Sequence, residues 1–148
     1  MSNSYTQNYL HCIFSTKNRD KILNEKYDEE LHKYISGLAK ERKCNTLSIN
    51  NVSDHVHLLV ALHSTYSISK FMQEIKAVSS KFINDKGWYK TKFSWQYGYG
   101  AFSCSQSQVI RVKEYIKNQK SHNKKITFKE EYIEFPEKYE IKYKEENI

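Results

Sequence analysis

Between Ser53 and Leu62 the chain reads SDHVHLLVAL, and this stretch restricts the possible folds more than any other. Alternation places Val56, Leu58, Val60 and Leu62 on one face of a strand, and His55 with His57 on the other. An aliphatic face of this kind packs beneath another layer, so the strand belongs to a sheet with helices over one side. The two imidazoles then point to the other, more open face. Either they are half-buried structural polar groups, or together they hold something.

The flanking periodicities supply the rest of the layer. Tyr5 to Ser15, rich in aromatic and β-favouring residues, predicts a first strand, followed by the basic loop TKNRDKIL. Asn24 to Arg42 predicts a helix with Leu31, Tyr34, Ile35 and Leu38 as its apolar stripe. Its acidic residues come early and its basic residues late, as the helix dipole favours. Cys44 to Val52 predicts a second strand, with Leu47 and Ile49 in alternation, and NNVSD turns the chain back into His55 to Leu62. Ser67 to Asn84 predicts a second helix on Ile68, Phe71, Met72, Ile75, Val78, Phe82 and Ile83, stopped by NDKG. Lys92 to Gln96 predicts a fourth strand, broken at YGYG, and Ser105 to about Asn123 a third helix on Val109, Val112 and Ile116. Ser105 or Ser107 would cap that helix.

The order β-α-β-β-α-β with a further helix predicts an α+β, ferredoxin-like antiparallel sheet with two helices on one face. At 148 residues, with one proline and no repeat or linker, a single domain over 1–148 is expected, its tail from about residue 127 peripheral. The longest apolar run, Leu58 to Leu62, is too short to span a bilayer. The N-terminus lacks a signal peptide's charged start and apolar centre. Cys12, Cys44 and Cys104 are too scattered to suggest a disulfide framework or a CxxC metal site, so a cytoplasmic protein is expected.

The formal charge of +7 is unevenly spread. The last twenty residues carry four Lys and seven Glu, while the first 128 carry 20 basic against 10 acidic side chains. Such a bias suits a polyanion, nucleic acid first among them, or serves solubility alone.

Two imidazoles at i and i+2 on a strand, about 6–7 Å apart at the backbone, can converge on one metal ion, whose identity the pair does not disclose. Downstream, Tyr115, Gln119 and His122 recur at i, i+4 and i+7 on one helix face. That face could set a hydroxyl nucleophile beside a metal ligand, or simply pack. The aromatics between Phe93 and Val109 could stack on bases or form a core edge.

HVHLL at 55–59, WQYGYGAFSCS at 95–105 and VKEYIKNQKSH at 112–122 occur together and in this order. In this the chain resembles the single-tyrosine HUH transposases of small bacterial insertion sequences, the IS-two-hundred group, and the related REP-associated tyrosine transposases. FSTKNRDKIL at 14–23 is similar to that family's first strand and following loop, and the resemblance runs over roughly Tyr5 to Tyr143. It implies that His55, His57 and Gln119 ligate a divalent ion, Mg²⁺ or Mn²⁺, and that Tyr115 is the nucleophile. Family members often carry two adjacent histidines where this chain has His122 and Asn123, and the terminal segment EFPEKYEIKYKEENI matches only loosely.

The implied activity is cleavage and rejoining of single-stranded DNA at element ends through a 5′-phosphotyrosine. Hairpins are the recognised structure and a homodimer the working form, commonly with one subunit's tyrosine helix completing the other's site. A non-catalytic hairpin- or single-strand-binding module on the same sheet is the alternative. Lys17, Arg19, Lys76, Lys81 and Arg111 are the candidate phosphate contacts.

Overall fold

The computed structural model describes residues 4–123, so the tail from about residue 127 lies outside the described residues. Strands β1 (Tyr9–Ser15), β2 (Asn45–Asn51), β3 (His55–Ala61) and β4 (Gly100–Cys104) form one sheet. Their order is β2-β3-β1-β4 and every neighbouring pair is antiparallel. Helices α1 (Asp28–Glu41) and α2 (Ile68–Lys86) make the two crossovers of the ferredoxin-like layer. Helix α3 (Val109–Lys117) and the short α4 (Gln119–Asn123) follow β4. Among the described residues no helix is long and apolar enough to cross a membrane.

The alternation of β1 and β3 sorts the sheet into two faces. Leu10, Cys12 and Phe14 join Val56, Leu58, Val60 and Leu62 under α1 and α2, which contribute Leu31, Ile35, Leu38, Phe71, Met72, Ile75 and Ile83. Full burial of each such side chain contributes about 1.5–3 kcal/mol, so this cluster dominates the stability of the layer. Arg42 Nε, at the end of α1, donates to Glu74 Oε1 of α2 at 2.6 Å and fastens the two helices.

Helix ends follow local chemistry. Ser67 accepts from the Lys70 backbone N–H to start α2, and Gly87, at φ 65°, ends it in the left-handed conformation that costs glycine nothing. α1 ends on a non-glycine residue. Lys43 sits at φ 60°, its N–H donating to the Lys40 carbonyl while the Cys44 N–H donates to that of Ala39.

Two expected elements differ. The fourth strand lies at Gly100–Cys104, not Lys92 to Gln96. Side chains of α2 take the backbone there: Asn84 Oδ1 accepts from the Phe93 N–H, and Asn84 Nδ2 and Ser80 Oγ donate to the Phe93 carbonyl. With those groups satisfied, only a single bridge between Trp95 and Thr16 forms before Gly98, at φ 85°, turns the chain into β4. The third helix is also interrupted, ending at Lys117 with Asn118 between it and α4. A bulge at Leu47 separates Leu47 and Ile49 onto opposite faces: Ile49 packs with α1 and α2, Leu47 with α3.

Candidate functional site

Register sets the site's floor. β3 carries His55 opposite Ser15 and His57 opposite Ile13, and on the same face of β1 lies His11, opposite Leu59. This face is not open. α3 lies across it, and Leu59, Cys104, Val112 and Ile116 form a second, smaller core with Tyr9, Leu47, Val109 and Tyr115 packed around it. His11, His55 and His57 all have 0% exposure beneath that helix.

The geometry inside is specific. His55 Nδ1 lies 2.7 Å from Asp54 Oδ1, and His57 Nδ1 lies 2.8 Å from His11 Nε2. The His55 and His57 ring centroids are 5.0 Å apart. The half-buried Tyr115 ring stands edge-on to both neighbouring histidines, 5.8 Å from His57 and 6.3 Å from His11. Tyr115 thus lies against histidines of its own chain.

Gln119 is fully buried, and the chain on either side of it is fastened to the end of β2. Asn50 Nδ2 donates to the carbonyls of Ile116 and Lys117 at 2.9 and 3.1 Å. Lys120 Nζ donates at 2.7 Å both to the Asn51 carbonyl and to Asp28 Oδ2. Asn50 and Asn51 pair with His57 and Val56, so these anchors hold Tyr115 and Gln119 at the level of the histidines.

Asn51 continues the network into α1, its amide donating to Asp28 Oδ1 and its Oδ1 facing His32 Nε2. Burial pushes the His32 pKa below 6.5 despite the opposing pull of Asn51 and Asp28. The unfolded chain therefore takes up this proton first, and the stability His32 contributes is present above pH 6.5 and is lost as pH falls below it. His32→Gln should flatten the decline in Tm between pH 7 and 5 relative to the parent. An unchanged decline would mean that His32 does not titrate as burial dictates.

No group of three or more His, Cys, Asp and Glu side chains suited to a metal ion occurs among the described residues. Two imidazoles and one amide, those of His55, His57 and Gln119, are a mixed donor set whose chemistry is compatible with a divalent ion. Each Nδ1 is engaged by a neighbour, that of His55 by Asp54 and that of His57 by His11.

The candidate phosphate contacts divide. Lys17 and Arg19 sit just beyond Ser15, in a loop whose Thr16 N–H donates to the Asp54 carbonyl at 2.9 Å. Asn18 and Arg19 there adopt left-handed φ values of 59° and 55°, an uncommon strain for non-glycine residues. Arg111 is exposed one turn before Tyr115. Lys76 and Lys81 belong to α2, over the opposite face of the sheet. Lys76 donates to the Gln96 and Gly98 carbonyls and Lys81 pairs with Asp85. The side chains of His122 and Asn123 lie outside the described residues.

Two participants, His11 and Asp54, do not stand out in the sequence patterns. His11 lies two positions from Ile13 in a strand read as aromatic and apolar, and Asp54 in what reads as a turn. Pairing β1 with β3 is the step that exposes His11, because it sets that ring beside His57.

A buried histidine pair thus lies on a ferredoxin-like sheet under a helix that carries a tyrosine, in a chain whose family match makes it a DNA-processing enzyme. The chain belongs to the transposase family described as IS200 like, whose family model matches residues 4–119. It is similar to the transposase of insertion sequence element IS200 from Salmonella typhimurium strain LT2, 23% identical over 119 residues, covering 77% of this chain and 78% of that one. The Salmonella typhi transposase for the same element gives the same figures. Two solved structures share the fold. One is a Deinococcus radiodurans R1 protein described provisionally as a transposase (TM-score 0.64, 21% identity, 80% of this chain and 96% of that one). The other is a REP-associated tyrosine transposase bound to a REP hairpin (TM-score 0.59, 16% identity, 83% of this chain and 73% of that one).

Proposed function

We propose that this chain cleaves and rejoins single-stranded DNA at the ends of an insertion sequence, with Tyr115 as nucleophile and DNA hairpins as the recognised structure. The observation that carries the reading is the Tyr115 ring, 5.8 Å from that of a fully buried His57 which reaches it from a strand some sixty residues earlier. The hairpin held by the REP-associated relative supports the choice of substrate.

The Tyr115 hydroxyl oxygen attacks the scissile phosphorus, the bond to the 3′ oxygen breaks, the phenolic proton passes to water, and the leaving 3′ oxygen takes up a proton in turn. The products are a 5′-phosphotyrosine and a free 3′-hydroxyl. Attack by another 3′-hydroxyl reverses the step and releases Tyr115, conserving the phosphodiester bond energy without ATP. His55, His57 and Gln119 would hold Mg²⁺ or Mn²⁺, which supplies Lewis-acid polarisation of the phosphate when bound. Lys17, Arg19 and Arg111 would contact flanking phosphates. A homodimer is part of this reading.

The test incubates the protein with 3′-labelled single-stranded end fragments and Mg²⁺ or Mn²⁺. The expected result is a labelled protein–DNA adduct that survives denaturation and does not form when a chelator is present from the start. Salt-sensitive hairpin binding without any adduct would replace this reading with the non-catalytic binding module.

A further inference from the structure

We infer that Asp54 and His11 are positioning residues that fix the tautomers of His55 and His57, so that both present Nε2 to a divalent cation. This rests on the reading of His55 and His57 as ligands, and concerns what makes them competent.

A carboxylate can only accept. Asp54 Oδ1, 2.7 Å from His55 Nδ1, therefore requires the proton on Nδ1 and leaves the Nε2 lone pair for ligation. The second contact needs one donor and one acceptor. A ligand through Nε2 requires His57 to be the donor, Nδ1–H to His11 Nε2 across 2.8 Å. His11 then carries its own proton on Nδ1. The two histidines are thus oriented by partners of different kinds, one a carboxyl group and one an imidazole.

Both partners are held from elsewhere. The Asp54 carbonyl accepts from the Thr16 N–H at 2.9 Å, and Thr16 Oγ1 lies 3.3 Å from the same oxygen. That tie joins the basic loop to the residue orienting His55. His11 sits on the central strand β1, between β3 and β4, with 0% exposure. Rings fixed in this way lose little freedom on binding an ion, and partners that orient metal ligands commonly account for about 10–100-fold in affinity.

Two measurements test this. In the metal-free protein, ¹⁵N NMR of the imidazoles should show His55 and His57 protonated at Nδ1. An Nε2–H tautomer at either would overturn the inference. Mn²⁺ titration followed by electron paramagnetic resonance should show affinity about 10–100-fold weaker in Asp54→Ala and His11→Phe. His11→Gln, which keeps an acceptor, should remain within a few-fold of the parent. Variants are compared at matched helical content by circular dichroism, and if His11→Phe does not fold, the tautomer measurement and Asp54→Ala decide.

His57→Ala separates the two levels. If it binds Mn²⁺ as tightly as the parent, the ligand reading itself fails. If it abolishes binding while Asp54→Ala and His11→Phe bind normally, only the positioning inference fails.

Discussion

Tyr115→Phe should leave the protein folded and reduce the covalent DNA adduct by at least ~10³-fold, since removing a covalent nucleophile costs that much or more. The substitution deletes one oxygen. The ring keeps its packing against Val112, Ile116 and Leu59, and its edge-on approach to His57 and His11. The change in stability should stay within about 1–1.5 kcal/mol, the net worth of an ordinary hydrogen bond. Non-covalent hairpin binding should persist, since phosphate contacts do not need the phenol. Adduct formed at the parental rate would move the nucleophile elsewhere, with Tyr97, at 98% exposure, the first residue to examine.

Phe14→Ala should destabilise the domain by about 3–5 kcal/mol, the usual cost of removing a buried aromatic ring. Phe14 has 1% exposure on the central strand, and meets Trp95 edge-to-face at a centroid distance of 4.8 Å. Trp95 in turn meets Phe93 at 4.7 Å and donates from Nε1 to Ser79 Oγ at 3.0 Å. Loss of the Phe14 ring opens a cavity where β1, α2 and the segment before β4 converge. Because domains of this size are stable by roughly 5–15 kcal/mol, the variant should sit near the threshold of unfolding. Urea denaturation measures this through the midpoint. A shift worth less than about 1 kcal/mol would show that the aromatic trio is not a principal part of the core.

The layer was legible because its periods are clean. Val56, Leu58, Val60 and Leu62 recur at every second position of HVHLLVAL, α2 carries a helical stripe, and turn residues separate the elements where they should. The position of the fourth strand was not, because the groups that hold the Phe93 backbone out of the sheet are Ser80 and Asn84, polar residues on a helix whose apolar side makes the pattern. The histidine pair could be placed on a face from alternation, but not called buried, since the covering helix comes from a segment fifty residues away. The Leu47 bulge likewise escapes, because an inserted residue leaves no mark in a short polar strand. Spacing placed Tyr115 and Gln119 on one helix face but only the resemblance implied roles for them, and His11 needs the strand register before it has a neighbour.

α3 is nine residues long, shorter than an isolated helix needs to hold itself together in water. Its helicity is therefore borrowed from the sheet beneath, through Val112, Ile116 and the Asn50 clasp. The same contacts seal the histidines from solvent, so placing the phenol and burying the histidine pair are one cooperative event, and a transient lifting of this segment would undo both together. The segment that carries Tyr115 and the cover over the histidines are a single piece of chain.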